Sequence, residues 1–164
     1  MFTKPKNGWT DILLDDFEGL GSYIQDVPVE VMEASISALK KDIPLKLHFD
    51  EEGSEFTLTA DEMTKIVAQG YYGPETYEVK LSKLEIIGEI CEDMEEYFHE
   101  WVEFSEEYAY FEDDEAEQKQ AFFTQIAAVL LAYNSRQPVY PAAKIRVSAC
   151  YIVVLDFAQV DHSD

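Results

Sequence analysis

Positive charge is what this chain has least of. Ten Lys and two Arg stand against thirty-four Asp and Glu, giving a formal net charge of −22. Direct nucleic-acid binding is disfavoured on that ground, because neutralising phosphates requires a basic patch. Anionic membrane surfaces are repelled for the same reason. Cysteine is nearly missing too: Cys91 and Cys150 are too few for a disulfide framework. Each sits among apolar residues, where a free thiol packs as a small hydrophobe. Long apolar runs are absent as well. Ala127–Ala132 is among the longest, and a membrane helix needs about 20 residues. No N-terminal stretch pairs basic residues with a long apolar run, so no secretory signal is expected and a cytoplasmic setting is.

Catalytic signatures are lacking in turn. There is no Gly-x-Ser-x-Gly elbow and no glycine-rich phosphate loop. Glu96 and His99 have the Glu-x-x-His spacing of half a di-iron site, without a second copy. His99 also lacks the second histidine of the zinc-protease helix motif. Asp50–Glu55 sets acids around Gly53 but departs from the calcium-loop pattern. The segment Glu112–Glu117 is at best a loose cation site. His48 lies on the polar side of a strand and His162 close to the last residue, so neither reads as a tuned base. No metal or cofactor is expected.

What is present is acid, and it is unevenly placed. Ser82 to Glu117 holds fifteen acids and one base, Lys83, a net of −14 in 36 residues; the other 128 residues carry −8. Adaptation to high salt would spread acid over the whole surface and deplete Lys, and neither holds. Ten Tyr and ten Phe, with 47% hydrophobic residues, are the content of a folded chain rather than of an acidic tail. A length of 164 residues suits one domain.

Patterning supplies the elements. Asp11–Asp15 is a strand candidate, and Gly19 and Gly21 mark Phe17–Tyr23 as a loop or tight turn. Asp26, as a side-chain cap, and Pro28 open a helix that runs to about Lys41, with Val29, Met32, Ile36 and Leu39 on one stripe. Ile43–Phe49 and Glu55–Ala60 alternate about the turn Asp50-Glu51-Glu52-Gly53 and predict a hairpin. Met63–Gln69 fits a strand or a short helix. Gly73-Pro74 is read as a turn, followed by an alternating strand through Tyr77, Val79 and Leu81.

Ser82 and Glu85 form a capping box. Behind it Leu84, Ile87, Cys91, Met94, Phe98 and Trp101 recur at three and four, predicting one long helix. A second helix is expected from about Asp114 to Tyr133. Ile145–Phe157 is apolar on both alternating faces, as a strand inside a sheet would be. The expected fold is α+β: one domain over residues 1–164, with a mostly antiparallel sheet of about five strands packed on two or three helices. The strand 145–157 would complete that sheet.

Opposite the apolar stripe of the long helix fall Glu85, Glu89, Glu92, Asp93, Glu96, Glu100 and Glu103. Carboxylates three or four residues apart recur every ~5–6 Å along a helix axis, close to the interval of phosphates along a nucleic-acid strand. Like charges at i,i+4 cost a helix about 0.2–0.5 kcal/mol per pair, and almost no Lys relieves them here. The acidic segment that follows interleaves Tyr108 and Tyr110 with Glu106, Glu107, Glu112, Asp113 and Asp114; aromatics beside carboxylates suit Lys and Arg. These residues are the candidate partner-binding face. The expectation is a non-enzymatic acidic interaction or inhibitor protein that binds a basic protein, a nuclease or another nucleic-acid enzyme. Two settings suit it equally, an immunity protein against a nuclease toxin and an anti-defence protein that mimics DNA. The alternatives are a small atypical or metal-dependent enzyme, and a scaffold whose acidity serves solubility alone.

Overall fold

The computed structural model describes residues 1–70, 73–102, 104, 124 and 128. Their order is β1 (Trp9–Leu14), β2 (Phe17–Ser22), α1 (Val27–Lys41), β3 (Leu45–Asp50), β4 (Glu55–Ala60), β5 (Thr64–Gly70), β6 (Gly73–Val79), α2 (Lys83–Glu96) and α3 (Phe98–Val102). The architecture is α+β with two antiparallel sheets, a β1–β2 ribbon and a four-stranded β3–β4–β5–β6 meander. A single sheet of about five strands is therefore not what the described residues form. The expected helix 114–133 lies outside the described residues except for Thr124 and Ala128, which are helical. The strand 145–157 lies outside them altogether.

The β3–β4 hairpin has the register its alternation predicts, with Leu47 opposite Leu58 and Phe49 opposite Phe56. Its acidic turn is closed by its own side chains: Glu52 N–H donates to Asp50 Oδ1 at 2.8 Å and Ser54 Oγ to Glu51 Oε2 at 2.6 Å. The ambiguous segment at Met63–Gln69 is strand β5, paired on both sides. Gly73 and Pro74, read as a turn, instead open strand β6 opposite Gly70 and Gln69.

The larger correction is β2. Gly19 and Gly21 sit inside a strand, and the chain reverses at Asp15, whose φ of 49° is left-handed. These glycines make room rather than turns. A Cβ on Gly19 would lie 2.6 Å from the Phe56 ring and 2.8 Å from the Phe17 ring. Asp26 also departs from expectation, since it precedes α1 without a side-chain capping bond.

β2 lies beside β3, and side chains rather than a ladder join them. Ser22 Oγ donates to Asp50 O at 2.9 Å, and Leu20 N–H donates to Glu51 Oε1 at 2.8 Å. The Gln25 carboxamide acts as a surrogate peptide: Nε2 donates to His48 O and Oε1 accepts from Asp50 N–H, both at 2.8 Å. One hydrophobic cluster draws on both sheets and all three helices. Rings link its parts: Tyr77 to Phe17 at 5.1 Å, Phe17 to Phe56 and Phe56 to Phe49 at 4.8 Å, then Phe49 to Phe2 and Phe2 to Trp101.

Candidate acidic docking face

Helix α2 begins as the capping box requires. Ser82 Oγ accepts from Glu85 N–H, and Glu85 Oε2 accepts from Ser82 N–H at 2.8 Å and from its hydroxyl at 2.7 Å. The Ser82 N–H holds the Glu85 carboxyl below its ordinary range. Ile86, Ile87, Ile90, Cys91 and Met94 are buried, which turns the acidic side outward. The helix stops at Glu96, however. Tyr97 leaves helical geometry (φ −109°, ψ 34°) and α3 starts at Phe98, so the single long helix predicted through Trp101 is two shorter ones.

The structure sorts the predicted carboxylates by what they already hold. Glu85 caps its own helix. Glu89 and Asp93 lie 3.2 and 3.1 Å from the Met1 ammonium, and Asp93 also accepts the Phe2 N–H at 2.6 Å. Glu100 pairs with Lys4 Nζ at 2.7 Å, which lowers the Glu100 carboxyl and raises the Lys4 ammonium. Glu96 is exposed and accepts a hydrogen bond from the Tyr97 side chain, raising that phenol. Glu92 is exposed, as is Glu95 at the edge of the predicted face, and neither meets a basic side chain among the described residues. Glu103, Glu106, Glu107, Tyr108, Tyr110, Glu112, Asp113 and Asp114 lie outside the described residues.

Sequence reasoning missed the N-terminal segment as the source of countercharge. Lys4 is remote from the acidic run in sequence, and nothing local links the two. Lys83, the base inside the run, reaches away from the acidic face to Asp42 Oδ1 at 3.3 Å and Ile43 O at 3.0 Å.

Chemistry at this face is limited. Burial first, then the charges of Glu95 and Glu92, push the Cys91 thiol up to about 12, so it stays protonated and unreactive at neutral pH. Glu96 and His99 are both exposed. No three His, Cys, Asp or Glu side chains among the described residues are grouped to hold a metal ion. No helix among them is long and apolar enough to cross a membrane. What the arrangement offers is charge: Glu92, Glu95 and Glu96 form an exposed anionic patch on a helix whose other side is fixed in the core. No family model, curated protein or solved structure matches this chain.

Proposed function

We propose that this chain is an acidic docking protein that occupies the basic, nucleic-acid-handling surface of another protein. The observation that carries the reading is the exposed set Glu92, Glu95 and Glu96 on α2, unrelieved by any basic side chain among the described residues. A solvated helix gains by interleaving Lys at i+4, whereas this one leaves the charges unrelieved. Its inner side is anchored by five buried residues, so the anionic side is presented rigidly. Such a surface steers a basic partner and resists nucleic acid. An immunity protein against a nuclease toxin and an anti-defence protein that imitates DNA both require this chemistry.

The test is capture from lysate of the native cell by the immobilised chain and by a Glu92→Gln/Glu95→Gln/Glu96→Gln variant. Wild type should retain a basic nucleic-acid enzyme that duplex DNA or ~0.5 M salt displaces, since screening at that strength confines charge effects to a few ångströms. The variant should lose it. Equal retention by both proteins would end the reading.

A further inference from the structure

The break between α2 and α3 has none of the usual backbone causes. Helices kink at Pro, at Gly or Ser, or where something inserts into the ladder, and residues Glu92 to Glu100 contain no Pro, Gly or Ser. The apolar stripe passes through the break in phase, with Met94, Phe98 and Trp101 continuing Ile87 and Cys91. Tyr97 N–H still bonds Asp93 O, and Trp101 N–H bonds Tyr97 O, both at 3.0 Å. The backbone bonds and the apolar stripe are thus compatible with a continuous helix, and contacts from outside the two helices oppose it.

Those contacts lie across the break. On its near side Asp93 accepts the Phe2 N–H at 2.6 Å. On its far side Glu100 holds Lys4 at 2.7 Å, and the Phe2 ring stands edge-on to Trp101 at 5.2 Å. The segment is itself tied to β1, through Thr3 N–H to Asp11 O at 3.0 Å and Leu13 N–H to Met1 O at 2.9 Å. The Trp101 indole N–H is buried without a hydrogen-bond partner among the described residues.

We infer that Met1–Lys4 is a strap that imposes the break at Tyr97, and that lifting it joins α2 and α3 into one helix over residues 83–102. The strap is a conformational catch on the acidic face. In the joined helix Glu92, Glu96 and Glu100 follow at i,i+4, and their repulsion opposes joining. A basic partner removes that repulsion and so favours the joined state over the strapped one. This last consequence rests on the docking reading; the catch itself does not.

Nuclear magnetic resonance on the full chain tests it without any partner. Lys4→Gln/Asp93→Asn weakens the strap on both sides of the break, and Phe2→Ala removes its ring. Exchange of the Thr3 amide reports whether the strap has left β1, and the Cα shift of Tyr97 reports its backbone. At least one variant should lose Thr3 protection while Tyr97 moves into the helical range. A freed Thr3 with an unchanged Tyr97 would overturn the inference. So would a strap that stays protected in both variants. Loss of cooperative melting in every variant that frees Thr3 would overturn it too, since the strap would then be inseparable from the core.

Discussion

At the scale of single residues, carboxylates that look alike in sequence have different work. Asp93 receives a backbone N–H and an ammonium, while Glu92, its chain neighbour, faces solvent. Hydrogen bonds to charged groups contribute about 1.5–3 kcal/mol, and exposed substitutions stay within about 0.5 kcal/mol. Asp93→Ala should therefore destabilise the chain by roughly 1.5–3 kcal/mol, and Glu92→Gln hardly at all, as chemical denaturation would show. Neutralising Glu89, Glu92, Glu96 and Glu100 together would relieve like-charge repulsion but also remove the ion pairs of Glu89 and Glu100.

Glu85 offers a pH test at the same scale. Its carboxyl is held below the ordinary value of 4.5 by the Ser82 N–H. A depressed carboxylate contributes stability that is present above the unfolded value and lost as pH falls through the folded one. The melting-temperature gap between wild type and Glu85→Ala should be steady at neutral pH and narrow as the pH falls below 4.5 and through the lowered folded-state value. A gap that persists in acid would show that Glu85 acts through packing instead.

At the scale of elements, β2 shows how packing decides what a glycine means. Gly19→Ala would drive a methyl into the Phe56 and Phe17 rings. Overpacking of this kind costs about 1–3 kcal/mol, against the slight gain Ala gives where a glycine is merely flexible. A drop in melting temperature is expected; an increase would mean the rings can move aside. From sequence the two glycines look like turn residues, since the rings that exclude a side chain come from Phe56, 37 positions away, as well as from nearby Phe17. The β3–β4 hairpin and the start of α2 were legible because their determinants are adjacent: alternation about an Asp-Glu-Glu-Gly turn, and Ser82 three residues before Glu85. The end of α2 was not, because no Pro, Gly or Ser near Tyr97 marks it.

At the scale of the whole molecule, self-repulsion competes with the ion pairs of the strap. A net charge of −22 opposes compaction over a Debye length of about 30 Å at 0.01 M salt and about 10 Å at 0.1 M. Exposed pairs such as Lys4 with Glu100 contribute about 0–1 kcal/mol. Repulsion should win, so the melting temperature should rise as NaCl goes from ~10 to ~500 mM. A fall would show that the ion pairs outweigh the field.

Local rules reached the α+β class, the antiparallel meander and the capped acidic helix, because each depends on residues a few positions apart. They also located the charge, which is a property of composition. Which carboxylates are free to meet a partner was decided only in three dimensions. Asp93 and Glu100 are claimed by Phe2 and Lys4 from the other end of the described chain, brought there as Phe2 packs between Phe49 and Trp101. Burial of one aromatic ring sets that encounter. Its partners lie too far along the chain for any periodicity to announce them.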